Sequence, residues 1–555
     1  MRIIISILGV MVFALSVSCE KTRASEQSAI DDLFSDLDQN TPGAAFVVVR
    51  DGKVLLSDGY GMANLQYDIP MTPETVVDVA SVSKQFTAFS IMLLVEDGSL
   101  SLDDDVRKHI PELPDYDVPI TLRHLLTHTS GLREWIQLLH LSGYEIGGDI
   151  ISRDHVFNLM VNQKALNFLP GEKFSYTNSG YDLLGIVVER ASGKKFSAFA
   201  HERIFEPLGM ENTFLRDDYQ KIIPNEAARY YNNGDAYEII RHQLAIGGSS
   251  GVHTTMSDLS LWMLNFDQLK IGNEQLFEAM SEPGALNNGE RITAAFGQFV
   301  TPHKGLYQLH HEGGGVGVNT HLTRFSEQGF SVAVTCNEFS CDPRAKAEAI
   351  AEIFLGDLMK QQESESTEPV DIDPAQLKAF AADYWNENNG LVRKVYFEDD
   401  QLWYMRSAEN KTALIPVGEN MFVFDGASTA STLQFGRDER NRKTMAFVYD
   451  GEAPQVFTEY EPRSYVGNEL DQFTGAYYSE ELFTLYNLNV NDGVLSAENR
   501  RGTRATFRPV MTDTFAGSRY AFSTIKYVRD QDDQIVGMVV TNPGAKGILF
   551  EKIKD

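Results

Sequence analysis

Apolar runs and polar breaks divide the chain before any motif is considered. Ala44 to Arg50 reads AAFVVVR, an almost unbroken apolar run of strand length. Asp51-Gly52 follows as a hairpin turn and Val54-Leu55-Leu56 as the returning strand, because Asp-Gly tolerates the positive φ of a two-residue turn. Ser81 to Val95 is apolar on every side and predicts a buried helix. Residues 120–270 read as helix-rich, with Gly, Thr and Ser in the loops. Strand patterns resume at Ile292–Val300, Thr320–Phe325 and Phe330–Thr335, and Ala345–Met359 has helical length and period. Strands at both ends of a segment with helices between them predict an α+β domain, an antiparallel sheet packed with helices.

Residues 361–376 are polar, acidic and Pro-containing, which predicts a linker. Beyond them the pattern changes to short alternating strands, and the last third of the chain holds nearly half of its aromatic residues. This region repeats itself at a constant offset of 93. Leu377, Phe380 and Tyr384 match Leu470, Phe473 and Tyr477; Leu402, Pro416 and Phe422 match Leu495, Pro509 and Phe515; Met445 and Phe457 match Met538 and Phe550. Two tandem all-β units, 377–460 and 470–555, are therefore expected, each a small barrel-like domain of six to eight strands.

Composition narrows the function. Acidic residues number 78 against 48 basic ones, a net charge of −30 over 555 residues. Nucleic-acid affinity comes mostly from Lys and Arg neutralising phosphates, so nucleic acid is excluded as a partner. Arg2 and the apolar stretch Ile3–Val17 read as a signal-peptide core over residues 1–19. The stretch ends Leu15-Ser16-Val17-Ser18-Cys19, similar to a bacterial lipobox with Ser16 where Leu is usual. Export as a periplasmic or outer-membrane lipoprotein lipidated on Cys19 is expected, with secretion of a simply cleaved chain as the alternative. The lipid would be the protein's one link to a membrane. Cys336 and Cys341 either bridge across a loop or remain two thiols.

Three short segments carry candidate chemistry. Ser81 and Lys84, three apart at a helix start, share a helical face, so the amine can reach the hydroxyl. A serine is a weak nucleophile and needs such a base, and a Lys in the first turn of a buried helix has its pKa lowered. Tyr176 and Asn178, in a loop before an apolar helix, offer a phenol and an amide. His310-His311-Glu312-Gly313-Gly314-Gly315 precedes a strand, and its glycines let a substrate backbone lie against the strand edge. Gly247-x-Ser249-x-Gly251 fits a nucleophile-elbow pattern but lacks the buried strand that motif requires, so it reads as a glycine-rich loop. His124 and His128 read as structural, and Asp103-Asp104-Asp105 as a solvated loop.

Ser-x-x-Lys, Tyr-x-Asn and His-x-Gly in this order resemble the penicillin-recognising serine hydrolases: class C β-lactamases, DD-peptidases, D-aminopeptidases and related esterases. The resemblance spans residues 28–360 and includes the stretches Leu125–Leu132 and Gly247–Gly251. It implies a β-lactamase-like sheet flanked by helices with an all-helical subdomain. It also implies roles. Ser81 would be the acylated nucleophile, and Lys84 and Tyr176 would share proton transfer. Asn178, His311, Glu312 and Gly313 would contact substrate, and the backbone N–H groups of Ser81 and Gly314 would form the oxyanion hole. Such chemistry needs no metal or organic cofactor. The partner would be a small-molecule or short-peptide substrate.

Relatives that bind a substrate carboxylate usually carry Thr or Ser where this chain has Glu312. A carboxylate facing the cleft there would repel an acid and attract an amine. The two C-terminal units resemble the three-domain plan of bacterial D-aminopeptidases. An aminopeptidase acting on D-amino-acid or short peptide substrates is therefore the leading expectation. A carboxylesterase, a β-lactamase or DD-carboxypeptidase, and a weakly active binding or sensing protein are the alternatives.

Overall fold

The computed structural model describes residues 24–360, 369–407, 410–425, 431–449 and 454–554. The expected leader with Cys19 and the first half of the expected linker lie outside these residues. The helix Pro374–Ala379 begins within the stretch expected as linker, with Pro374 in its first turn and the Asp373 side chain capping it. Among the described residues no helix is long and apolar enough to cross a membrane.

Six antiparallel strands form the central sheet: β1 (Ala44–Arg50), β2 (Lys53–Tyr60), β3 (Phe299–His303), β4 (Leu306–Gly315), β5 (Val318–Phe325) and β6 (Phe330–Cys336). Their order is β3-β4-β5-β6-β1-β2. β1 is apolar on both faces because both are covered. Ala45, Val47 and Val49 join the helical core, while Phe46 and Val48 pack with Ile30, Phe34, Val332 and Ile350 on the other side. Helix α1 (Ser83–Glu96) runs through the helical core, buried from Ser83 to Leu94. Its Phe86 and Phe89 pack on Trp262 of α3 (Met256–Gln268), at 4.7 and 5.2 Å between ring centroids. Helix α2 (Asn178–Ser192) lies beside α1, with Thr177 as N-cap and Gly193 closing its C-terminus at φ +70°. Helix α4 (Pro343–Leu355) covers the far face of the sheet.

One expected strand is shorter than its pattern. Of Ile292–Val300, only Phe299 onward joins the sheet. Gly297, at φ +73°, lies so close to α1 that a Cβ there would stand 2.7 Å from the Lys84 carbonyl. Its N–H donates to the Tyr181 hydroxyl at 2.8 Å. Packing on the helix takes this segment out of the ladder. Cys336 and Cys341 are disulfide-bonded, closing the turn between β6 and α4.

Each C-terminal unit is a closed barrel of eight antiparallel strands, from Ala382–Trp385 to Gln455–Tyr460 and from Gly475–Ser479 to Ile548–Lys552. The repeated apolar positions fall on equivalent strands. Leu402 and Leu495 are on the third of each barrel, Phe422 and Phe515 on the fifth, Phe457 and Phe550 on the eighth. The paired tyrosines repeat a hydrogen bond as well: Tyr384 donates to the Phe380 carbonyl at 2.7 Å and Tyr477 to that of Phe473 at 2.9 Å. The first barrel has a core of its own, whereas the core of the second is continuous with the helical layer of the N-terminal domain. Tyr384→Phe and Tyr477→Phe each remove one hydrogen bond from a mainly apolar interior. Each should lower the stability of its barrel by about 1 kcal/mol in denaturant titration.

Candidate active site

Ser81 sits in a single 3-10 turn, Ala80–Val82, that runs into α1. The residue before it, Ala80, is held at φ +45°, a left-handed conformation that costs a non-glycine residue energy. Asp78 stabilises this turn, its buried carboxylate accepting from the Ala80 N–H at 2.8 Å and pairing with Arg229 at 3.3 Å. Lys84, one turn along α1, is fully buried. Its Nζ donates to Ser81 Oγ at 3.0 Å, Asn178 Oδ1 at 2.8 Å and the Ser249 carbonyl at 2.9 Å. Burial pushes the amine down to about 7, against the opposing pull of Asp182 and Glu134. The lysine is thus poised between charge states near neutral pH.

Tyr176 lies over this group, with Lys84 Nζ 4.9 Å from its ring centroid. The residue is 38% exposed, but desolvation of the hydroxyl end raises its pKa above the usual phenol value; Ser81 opposes the rise, and the carboxylates of Glu134, Asp182 and Glu312 add to it. It therefore remains a neutral proton donor. The His311 ring stands 6.1 Å from that of Tyr176. Burial and Lys84 push its pKa down to about 3, so it is uncharged. β3 pairs with β4 only as far as His310. Residues 311–315 thus keep one strand edge free of β3, beside the Ser81 turn. A Cβ on Gly313 would meet the Val79 carbonyl at 2.2 Å and Ser81 N at 3.3 Å, so this approach requires glycine.

A serine, a desolvated lysine and a neutral tyrosine brought together in this way are an arrangement suited to serine-hydrolase chemistry. The family model described as beta-lactamase matches residues 30–355. The chain belongs to the beta-lactamase family. It is 26% identical over 459 residues to penicillin-binding protein 4* of Bacillus subtilis (strain 168), covering 77% of this chain and 98% of that protein. It is 28% identical over 311 residues to a D-aminopeptidase of Gluconobacter oxydans (strain 621H), covering 56% of this chain and 58% of the relative. The octameric penicillin-binding protein homologue of Pyrococcus abyssi shares the fold at a TM-score of 0.54 and 23% identity, over 80% of this chain and 99% of that one.

Within this beta-lactamase-family enzyme, several supports of the centre carry no sequence motif. Glu134 accepts from the N–H of Asn178 at 2.6 Å, from the Thr177 hydroxyl at 2.8 Å and from Asn178 Nδ2 at 3.1 Å. Both ends of the Asn178 amide are therefore engaged, by Lys84 and Glu134. Asp182, on the next turn of α2, accepts from the N–H and hydroxyl of Ser249, at 2.7 and 3.0 Å. This holds the Ser249 carbonyl on Lys84. The loop around Ser249 is no nucleophile elbow: only the two-residue strand Leu244–Ala245 precedes it, and a strand, Val252–Thr254, follows it in place of a helix. His128 has structural contacts, and they lie at the site: its ring packs 4.5 Å from that of Tyr176, tilted by 32°, and its Nδ1 accepts from the Thr177 N–H at 3.2 Å.

Glu312 corrects an expectation. Strand alternation puts His311 and Gly313 on the catalytic face of β4 and Glu312 on the opposite face. Its carboxylate is half-exposed there and pairs with Arg344 of α4 at 3.0 Å. It does not line the cleft, so it neither repels a substrate acid nor receives an amine.

The second barrel reaches the centre through one clamp. The buried guanidinium of Arg133 donates to Glu481 at 2.6 Å and to the Lys546 carbonyl at 2.6 Å. The next residue, Glu134, donates its N–H to the Gly544 carbonyl at 2.7 Å. A side chain at 544 would strike Glu134. The barrel thereby orients the carboxylate that holds Asn178.

Two predictions follow from these contacts. Lys84 must be neutral to accept a proton, so kcat/KM should rise with pH up to about 7 and then level. Asp182→Asn removes a charge that favours the ammonium, and should move this limb to lower pH in a pH–rate profile; an unmoved limb would assign it elsewhere. Glu481→Ala strands a buried guanidinium, which costs about 3–5 kcal/mol. It should lower both thermal stability and kcat, while Glu480→Ala, removing an exposed partner of Lys164, should leave both near wild type.

Proposed function

We propose that the protein is an exported aminopeptidase-type hydrolase that acts on D-amino-acid or short-peptide amides through an acyl-enzyme on Ser81. The observation that carries the reading is the buried Lys84 donating to Ser81 Oγ at 3.0 Å, with its amine pushed down to about 7. In the neutral state Lys84 takes the Ser81 proton as Oγ attacks the substrate carbonyl. The Ser81 and Gly314 N–H groups receive the oxyanion. Tyr176, protonated before and after the step, passes its proton to the departing amine as it takes one from the Lys84 ammonium. Water then cleaves the acyl ester and Ser81 recovers its proton.

The substrate class rests on the similarity to a D-aminopeptidase and on the two barrels behind the catalytic domain. It no longer draws on Glu312. Export is supported by the Cys336–Cys341 disulfide, since such bonds persist in oxidising compartments.

A labelled fluorophosphonate should attach to the wild type and not to Ser81→Ala. Among D-amino-acid anilides, short-chain aryl esters and a chromogenic cephalosporin, the anilides should give the highest kcat/KM. Faster ester turnover would make the protein a carboxylesterase, and faster cephalosporin turnover a β-lactamase. No label and no turnover would indicate a binding protein. Glu312→Thr should leave the ranking unchanged, because position 312 faces away from the cleft.

A further inference from the structure

Behind the catalytic strand lies a second polar cluster that the hydrolase chemistry does not use. His310 and Glu312 flank His311 on β4 and point to the opposite face of the sheet. His321, on β5, is the direct cross-strand partner of Glu312. One ligand atom from each of His310, Glu312 and His321 lies within 4.8 Å of the other two.

The two histidines are in an unusual state. His321 is fully buried, and neither of its ring nitrogens has a hydrogen-bond partner among the described residues. His310 is 6% exposed; its Nε2 meets the Thr301 hydroxyl at 3.1 Å, and its Nδ1 has no partner. Buried polar atoms are normally satisfied, and an unsatisfied cluster calls for an absent ion or water. Burial above all, with the nearby charge of Arg344, keeps both rings neutral. Neutral imidazole is the form that binds metal. The Thr301 bond also matches the usual arrangement of a ligating histidine, one nitrogen on the ion and the other on a fixed oxygen.

We propose that His310, Glu312 and His321 bind a divalent zinc-class cation on the face of the sheet opposite Ser81. Two imidazoles and a carboxylate are a zinc donor set, with a fourth position left for water. Ligand atoms in a filled tetrahedral site stand about 3.3 Å apart, so the side chains would close by up to about 1.5 Å from the present spread. Half-exposed Glu312 opens the site to solvent. Arg344, bonded to Glu312 at 3.0 Å and to Glu348 at 2.9 Å, becomes the outer partner that orients the carboxylate. The ion would fix the backbone on both sides of His311 while taking no part in acylation.

The other cluster of this type, Asp78, His242 and His253, marks the contrast. There, as at Glu312, an arginine reaches the carboxylate, Arg229 to Asp78 at 3.3 Å, but the rings differ: His253 is bonded on both ring nitrogens and His242 Nδ1 meets Arg216 at 3.2 Å. That site is filled by protein.

The test is zinc titration of the full chain after chelator treatment and dialysis, by calorimetry, with cobalt(II) absorption as a readout of tetrahedral ligation. One equivalent of zinc at micromolar affinity is expected. His310→Ala and Glu312→Gln should each weaken it about tenfold or more, and His242→Ala should not. Circular dichroism and the melting temperature of each variant separate lost ligation from lost folding. The proposal fails if the wild type takes up no equivalent of zinc, or if folded His310→Ala and Glu312→Gln bind as tightly as wild type.

Discussion

Lys84 has no contact with water, and its three acceptors come from three separate segments: Ser81 at the start of its own helix, Asn178 at the start of α2 and the carbonyl of Ser249. Burying an amine is costly unless acceptors surround it. Here they hold the ion weakly enough that burial still prevails and the amine falls toward neutrality. The rest of the domain can be understood as the means of holding these segments together. Aromatic packing of Phe86 and Phe89 on Trp262 fixes α1, Asp182 fixes the Ser249 loop, and Glu134 fixes Asn178.

Glu134 extends this chain of support beyond the catalytic domain. Its neighbour Arg133 is paired with Glu481, and its own N–H meets Gly544, both in the second barrel. The barrel shares a continuous apolar core with the helical layer, so the clamp is set in a rigid interface. The first barrel touches this unit mainly through the second, where Val392 packs on Val510 and Ala516. Two copies of one repeat therefore hold different positions relative to the chemistry.

Much of the fold was legible because periodicity and burial agree. The apolar run of β1 meant two covered faces, the featureless apolar helix meant a central one, and the offset of 93 meant two similar units. The segment from Ile292 to Gln298 departs from its strand pattern because the Gly297 backbone lies against α1 and its N–H bonds to Tyr181, contacts that alternation does not register. The supports of the site were not legible. A glutamate such as Glu134 has no local signature when its partners lie some 44 residues away in sequence and across a domain boundary.

The sequence by itself determined the candidate reacting groups: a spacing of three brings Ser81 and Lys84 within reach of one another where a 3-10 turn runs into a helix. Only the tertiary structure decided their states. Charge on Lys84 and Tyr176 depends on burial and on carboxylates brought from other segments. The direction of Glu312 depends on which face of β4 meets α4. A motif specifies atoms and order, whereas pKa and orientation are properties of the packed surroundings.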